Sequence, residues 1–207
     1  MFFLVIGLVL GTIIQPTLID EGIKQTSTPP ITSTPTPSPT PTPIIIDTMD
    51  STFGWKKYNV AEGSSINFTP VSGRTGNAIE ISYDLKENGW VSIAKDIDPE
   101  MLSGTKGINF FYKGSGEPNT LILGLRYGDH TSFGVSLHRV TVTDVWVPIE
   151  VPYIYIDCWS EESPHYGKKL DLNNVRKIEF RIANFPEKGD VFGSGSVIID
   201  DVQGITS

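Results

Sequence analysis

From Ile44 onward the chain consists of short apolar runs broken by Gly, Pro, Asn and Asp. The runs Ala78–Tyr83, Gly107–Tyr112, Thr120–Tyr127, Phe133–His138, Trp146–Val151, Lys177–Ile182 and Val197–Val202 are rich in β-branched and aromatic residues. Several alternate: Lys177-Ile-Glu-Phe-Arg-Ile places Ile178, Phe180 and Ile182 on one face of a strand, because successive strand side chains point to opposite faces. No window sustains a helical period. Local turn chemistry recurs at Ser72-Gly73, Thr75-Gly76-Asn77, Lys113-Gly114-Ser115-Gly116 and Gly193-Ser194-Gly195, where Gly and Asn supply the backbone angles that tight turns need. Roughly seven or eight strands over this length predict an all-β antiparallel sandwich.

The sequence before Ile44 has a different character. Residues 1–25 contain the uncharged run Phe2–Ile14. Its length suits a signal-peptide core, yet no Lys or Arg precedes it and no small-x-small cleavage site follows. Extended to Ile19, it reaches about 18 residues, or roughly 27 Å as helix, a marginal membrane span. An uncleaved membrane anchor and a signal peptide both fit. Gly7 and Gly11 form a GxxxG pair, which in so short an apolar run is read as chance spacing. Residues 26–43 read TSTPPITSTPTPSPTPTP. Such a tract cannot bury a core, and its prolines favour extended polyproline II of about 3.1 Å per residue. The organisation expected is therefore a signal or anchor segment (1–25), a Thr/Pro linker (26–43) and a β-sandwich (44–207). It implies an extracellular or cell-surface location, with the membrane reached through the N-terminal segment.

Charge and composition narrow the function. The net charge of −8 comes from 16 basic and 24 acidic residues with no basic run, which argues against nucleic acid as a partner. One cysteine, Cys158, gives no internal disulfide and no Cys-rich zinc pattern. His130, His138 and His165 form no helix-spaced metal pair, and no G-x-S-x-G elbow or phosphate-binding loop is present. Cys158, without a clear partner, reads as a small semi-buried hydrophobe. The expectation is a protein that is not an enzyme. Sugars present apolar CH faces and many hydroxyls, which proteins meet with flat aromatic platforms and fixed hydrogen-bonding groups. The aromatics outside clear core alternation are Tyr58, Trp90, Tyr127, Phe133, Trp159 and Tyr166.

Five segments in order carry a resemblance. Asp47-Thr-Met-Asp-Ser-Thr-Phe-Gly-Trp-Lys-Lys-Tyr58 resembles the opening strand of family 11 carbohydrate-binding modules and their galactose-binding-like relatives. Val71-Ser-Gly-Arg-Thr-Gly-Asn-Ala-Ile-Glu-Ile-Ser-Tyr83 is similar to the turn and strand that follow. Trp146–Pro152, Leu170–Phe180 and the closing Val197–Val202 look like three further strands of the group. Complex I intermediate-associated proteins share much of this pattern. The resemblance implies a jelly-roll β-sandwich with a glucan-binding cleft. Tyr58 falls where the family places a stacking Tyr, and Trp90 near another. Two further Tyr positions of the family align with Val135 and Ile182, so Tyr127, Phe133 or Arg181 is expected to supply the missing contacts. The implied site is Tyr58, Trp90, Tyr127, Phe133 and Arg181. The resemblance also implies a structural Ca²⁺ held by Asp47 or Asp50, Asp200 and carbonyls of the Thr75–Asn77 turn, an oxygen-rich set of the kind calcium prefers. The function expected is non-catalytic binding of a β-glucan-like polysaccharide at the cell surface. The alternative is a structural or adhesive surface domain that binds protein or cell-envelope material.

Overall fold

The computed structural model describes residues 43–206 apart from Val140. The expected anchor and nearly all of the linker lie outside the described residues. The seven apolar runs named above fall on strands β4 (Asn77–Leu85), β6 (Gly107–Gly116), β7 (Thr120–Tyr127), β8 (Ser132–Leu137), β9 (Thr143–Pro152), β11 (Val175–Ala183) and β12 (Gly193–Ile205). The remaining strands are β1 (Ile44–Asp47), β2 (Trp55–Val60), β3 (Ser65–Ser72), β5 (Trp90–Asp96) and the two-residue β10 (Asp157–Cys158). Three of these, β2, β3 and β10, lie at sheet edges, where polar side chains such as Lys56 and Lys57 are tolerated and the apolar signal weakens.

Pairing is antiparallel throughout the two sheets. The first runs β3-β4-β12-β6-β9, with β1 also paired to β12. The second runs β10-β8-β7-β11-β5-β2. Alternation decides which side chains meet between them. Ile79, Ile81, Phe110, Val197 and Ile199 of the first sheet are fully buried, as are Leu121, Leu123, Phe180, Ile182 and Ile93 of the second. Phe110 and Phe180 meet edge-on across the gap, centroids 5.1 Å apart at 71°, and Trp55 packs on Phe180 at 5.8 Å. Burying each such ring contributes roughly 1.5–3 kcal/mol.

The central strand β7 is buried along its whole length, so the outer face of the second sheet is also covered at its centre. Register fixes what lies there. Glu179 of β11 stands opposite Ala94 on one side and Gly124 on the other, and Gly124 stands opposite Gly134. This row of small residues leaves room above the sheet for larger groups reaching in from its edges.

Candidate functional site

Glu179 is fully buried although it faces away from the core. Its Oε2 accepts from Arg126 Nε at 2.5 Å, and its Oε1 accepts from Arg181 Nε and Nη2 at 3.2 and 3.1 Å. Arg126 comes from β7, and its side chain is only 8% exposed. Each arginine in turn carries a ring. Arg126 Cζ lies 4.7 Å from the centroid of Tyr58, and Arg181 Cζ lies 4.9 Å from that of Trp159. A guanidinium is flat and weakly hydrated, so it can hold a carboxylate through its edge and an aromatic ring on its face at once. The outer face is thus crossed by a continuous row: Tyr58, Arg126, Glu179, Arg181, Trp159.

Local sequence explains both ends of this row. The β2–β5 register shifts between Lys57 and Val60. The Ser92 hydroxyl, on the same face, accepts from Asn59 N–H at 3.1 Å and donates to the Asn59 carbonyl at 3.4 Å. This irregularity re-aims the strand and turns Tyr58 over Arg126. At the other edge, Trp159 follows β10, and its backbone N–H donates to the Ser132 carbonyl. The ring then lies against the backbone of β8, where a side chain at Gly134 would collide with it. Beside it is a groove of about 400 Å³ lined by Trp159, Arg181, Asp129, Thr131, Ser132 and Ser163. Asp129 accepts from Thr131 N–H at 2.9 Å, which lowers its pKa, and its other oxygen lies 3.2 Å from His165 Nε2.

The structure sorts the expected sugar-binding residues. Tyr58 and Arg181 belong to the row. Trp90 is 42% exposed and stands on the same face, opposite Ala183 at the far end of β5. Tyr127 and Phe133 are corrected to core residues: they are 5% and 0% exposed, with ring centroids 4.7 Å apart, and the Tyr127 hydroxyl accepts from Asp171 N–H. Parity is the reason. Phe133 pairs with Leu125, whereas Gly134 and Ser132 point outward. Val135 and Ile182 also face inward, so a stacking residue at either would need the neighbouring position. Arg126 and Glu179 were missed by sequence reasoning; the alternation that buries Ile178, Phe180 and Ile182 already implied an outward Glu179. Tyr166 lies elsewhere, on a cavity of about 580 Å³ shared with Tyr153, Cys158 and Lys168.

The expected calcium ligands are also sorted. Asp47 is otherwise engaged: its carboxylate accepts from Met49 N–H, from Trp55 Nε1 at 3.2 Å and from Lys95 Nζ at 2.5 Å. Asp50, Asn77 and Asp200 do converge around the Gly73–Asn77 turn. Asp50 Oδ1 accepts from Asn77 N–H at 2.8 Å. Asp200 is fully buried; its Oδ2 accepts from Arg74 N–H at 2.7 Å, and its Oδ1 has no partner in hydrogen-bonding geometry among the described residues. Burial pushes the Asp200 carboxyl above its usual pKa. The point where a Cβ on Gly73 would sit is 2.6 Å from the Asn77 carbonyl oxygen and 2.7 Å from Asp200 Oδ2. Thr75 Oγ1 turns instead toward Asp201, at 3.5 Å. Among the described residues no three His, Cys, Asp or Glu side chains cluster as metal ligands, so a cation at this turn would depend on main-chain oxygens. A buried carboxylate with one orphan oxygen, its other oxygen lying with the Asn77 carbonyl around the Gly73 Cβ position, fits a hard cation.

The fold, a sandwich of two antiparallel sheets, is that of solved family 11 carbohydrate-binding modules. The family 11 module of a cellulosomal cellulase from Clostridium thermocellum superposes with a TM-score of 0.64 at 21% identity, covering 80% of this chain and 95% of that one. The module from the same organism in complex with a β-1,3-1,4-mixed-linked tetrasaccharide gives a TM-score of 0.64 at 23% identity, covering 79% and 95%. No protein-family model matches the chain. In sequence it is 26% identical over 171 residues to endoglucanase H of Acetivibrio thermocellus, covering 77% of the chain and 18% of that protein. It is 26% identical over 152 residues to a mannan endo-1,4-β-mannosidase of Bifidobacterium adolescentis, covering 70% and 15%. The chain therefore spans less than a fifth of the length of these curated relatives.

Proposed function

We propose that residues 44–207 form a non-catalytic module that binds polysaccharide of the β-glucan class on the outer face of the second sheet. The observation that carries this reading is that Tyr58, Trp90 and Trp159, all partly or largely exposed, share one face with a fixed row of polar groups. Ring faces provide apolar contact for the CH faces of sugars, and Arg181, the partly exposed polar member of the row, provides hydrogen-bond donors. Glu179 supports a non-catalytic role, since both its oxygens are held by arginines and acid–base work needs a carboxyl free to exchange a proton. The relatives support a β-linked ligand: one solved module holds a mixed-linked tetrasaccharide, and the matched stretch is a small part of an endoglucanase and of a mannosidase.

Two further elements belong to the proposal. A structural Ca²⁺ held by Asp200, the Asn77 carbonyl and Asp50 would neutralise the buried Asp200 and tie the loop after β1 to β12. The apolar and Thr/Pro segments before Ile44 support display of the module outside the cell. Calorimetric titration with mixed-linkage β-glucan, cellulose fragments and mannan tests the function. Saturable binding to at least one is expected. Absence of binding to every polysaccharide overturns the glycan reading and leaves a structural or adhesive surface domain.

A further inference from the structure

We infer that Glu179 is the positioning residue of this face: it holds Tyr58 through Arg126 and Trp159 through Arg181, so that the site selects a glycan chain long enough to cover both rings. The inference rests on the glycan-binding reading above and adds to it a second platform, Trp159, and a preference for ligand length.

The geometry is specific. Glu179 sits on an interior strand, and each of its oxygens serves a different arginine. Charge-assisted bonds of this kind are short and directional, and a planar guanidinium loses little further freedom once one edge is fixed. Fixing that edge also fixes the plane on which the ring lies. Both rings therefore take their positions from one carboxylate, although they come from opposite edges of the sheet. The strand order places five spacings between β2 and β10, about 24 Å between edge strands, and the rings lean inward from there. Ala94, Gly124 and Gly134 keep the floor between them low. Gly134 has a particular need to lack a side chain, because a Cβ there would displace the Trp159 ring.

A ring that supports one end of a chain raises the effective concentration of the other end at the second ring. Affinity should therefore climb with oligosaccharide length until both rings are covered. With neutral glutamine in place of Glu179, the buried Arg126 and the half-buried Arg181 lose their shared counter-charge, and the rings lose their common anchor.

The test titrates the full chain with β-glucan oligosaccharides from disaccharide to hexasaccharide. It compares wild type, Trp159→Ala and Glu179→Gln, and takes the ratio of long-chain to short-chain affinity for each. The unfolded fraction cancels from this ratio. The wild type should show a ratio of about tenfold or more, and both variants should bring it close to unity. Should Glu179→Gln fail to fold, the triple variant Arg126→Met, Glu179→Leu, Arg181→Met replaces the charges with apolar groups of similar volume, a change that buried ion networks tolerate, and it should show the same collapse. If the wild type binds and Glu179→Gln or the triple variant keeps its length dependence, the positioning role is overturned. If the wild type binds no oligosaccharide, the glycan reading itself falls.

Discussion

Arg181 lays its guanidinium over the ring of Trp159, Cζ 4.9 Å from the centroid, while its Nε and Nη2 stay on Glu179. One side chain thus joins an aromatic just beyond the edge strand β10 to the interior of the sheet. The arrangement turns a surface Trp into part of a fixed face, and several expectations rest on it.

Truncating Tyr58 and truncating Phe133 should have opposite signatures. Tyr58→Ala removes a partly exposed ring and should weaken glycan binding by about 1–3 kcal/mol, roughly five- to hundredfold, with little change in Tm. Phe133→Ala opens a cavity in the core and should cost about 3–5 kcal/mol of stability. Calorimetric titration and thermal melting on the two variants separate these outcomes, and a large loss of Tm in Tyr58→Ala would return that ring to the core.

Gly134→Ala should act as a binding mutation without touching a ligand. The added methyl occupies the space of the Trp159 ring, so the ring must tilt away from Arg181. Titration should show weakened binding close to that of Trp159→Ala, and near-ultraviolet circular dichroism should show an altered Trp signal. Wild-type affinity in Gly134→Ala would mean that the placement of Trp159 does not matter.

Calcium should raise Tm in the wild type, by about 2.7 kcal/mol of stability at a hundredfold excess over Kd. Asp200→Asn should abolish that shift, because it removes the buried orphan carboxylate. Asp47→Asn should preserve it, because Asp47 is occupied by Lys95 and Trp55. A shift that survives in Asp200→Asn would remove the ion from this turn.

Asp129 should contribute its full stability only above the ordinary carboxylate value and lose it progressively in stronger acid. Its folded pKa lies below 3.8, chiefly through the Thr131 N–H. A lowered folded value means that the unfolded chain binds the proton first as pH falls. The contribution is therefore fully present above 3.8 and disappears as pH drops through the folded value. The Tm difference between wild type and Asp129→Ala should be small at pH 7 and close in stronger acid; a difference independent of pH would point to packing instead.

Much of the fold could be read from the sequence, for a physical reason. A strand buried on one face repeats every two residues, and that period is printed in Lys177–Ile182 without reference to any other part of the chain. Turn chemistry and composition, equally local, marked the Gly-rich turns and the change of character at Ile44. The strand period gave less at the edges: β10 has two residues, and β2 carries adjacent lysines. Short or polar edge strands have no apolar period to detect.

The site divides along the same line. Tyr58 and Trp90 could be picked out as aromatics outside the core alternation and, with Arg181, through the family resemblance, but which face each occupied depended on register. One residue separates Phe133, in the core, from Gly134, beneath the Trp159 ring. Glu179, Arg126 and Trp159 come from three separate stretches of chain, and only the strand order β10-β8-β7-β11 draws them together. The sequence by itself determined a β-sandwich and the supply of aromatic and charged side chains. Tertiary structure decided which of them share a face, because that depends on long-range pairing, which a local period of two does not encode.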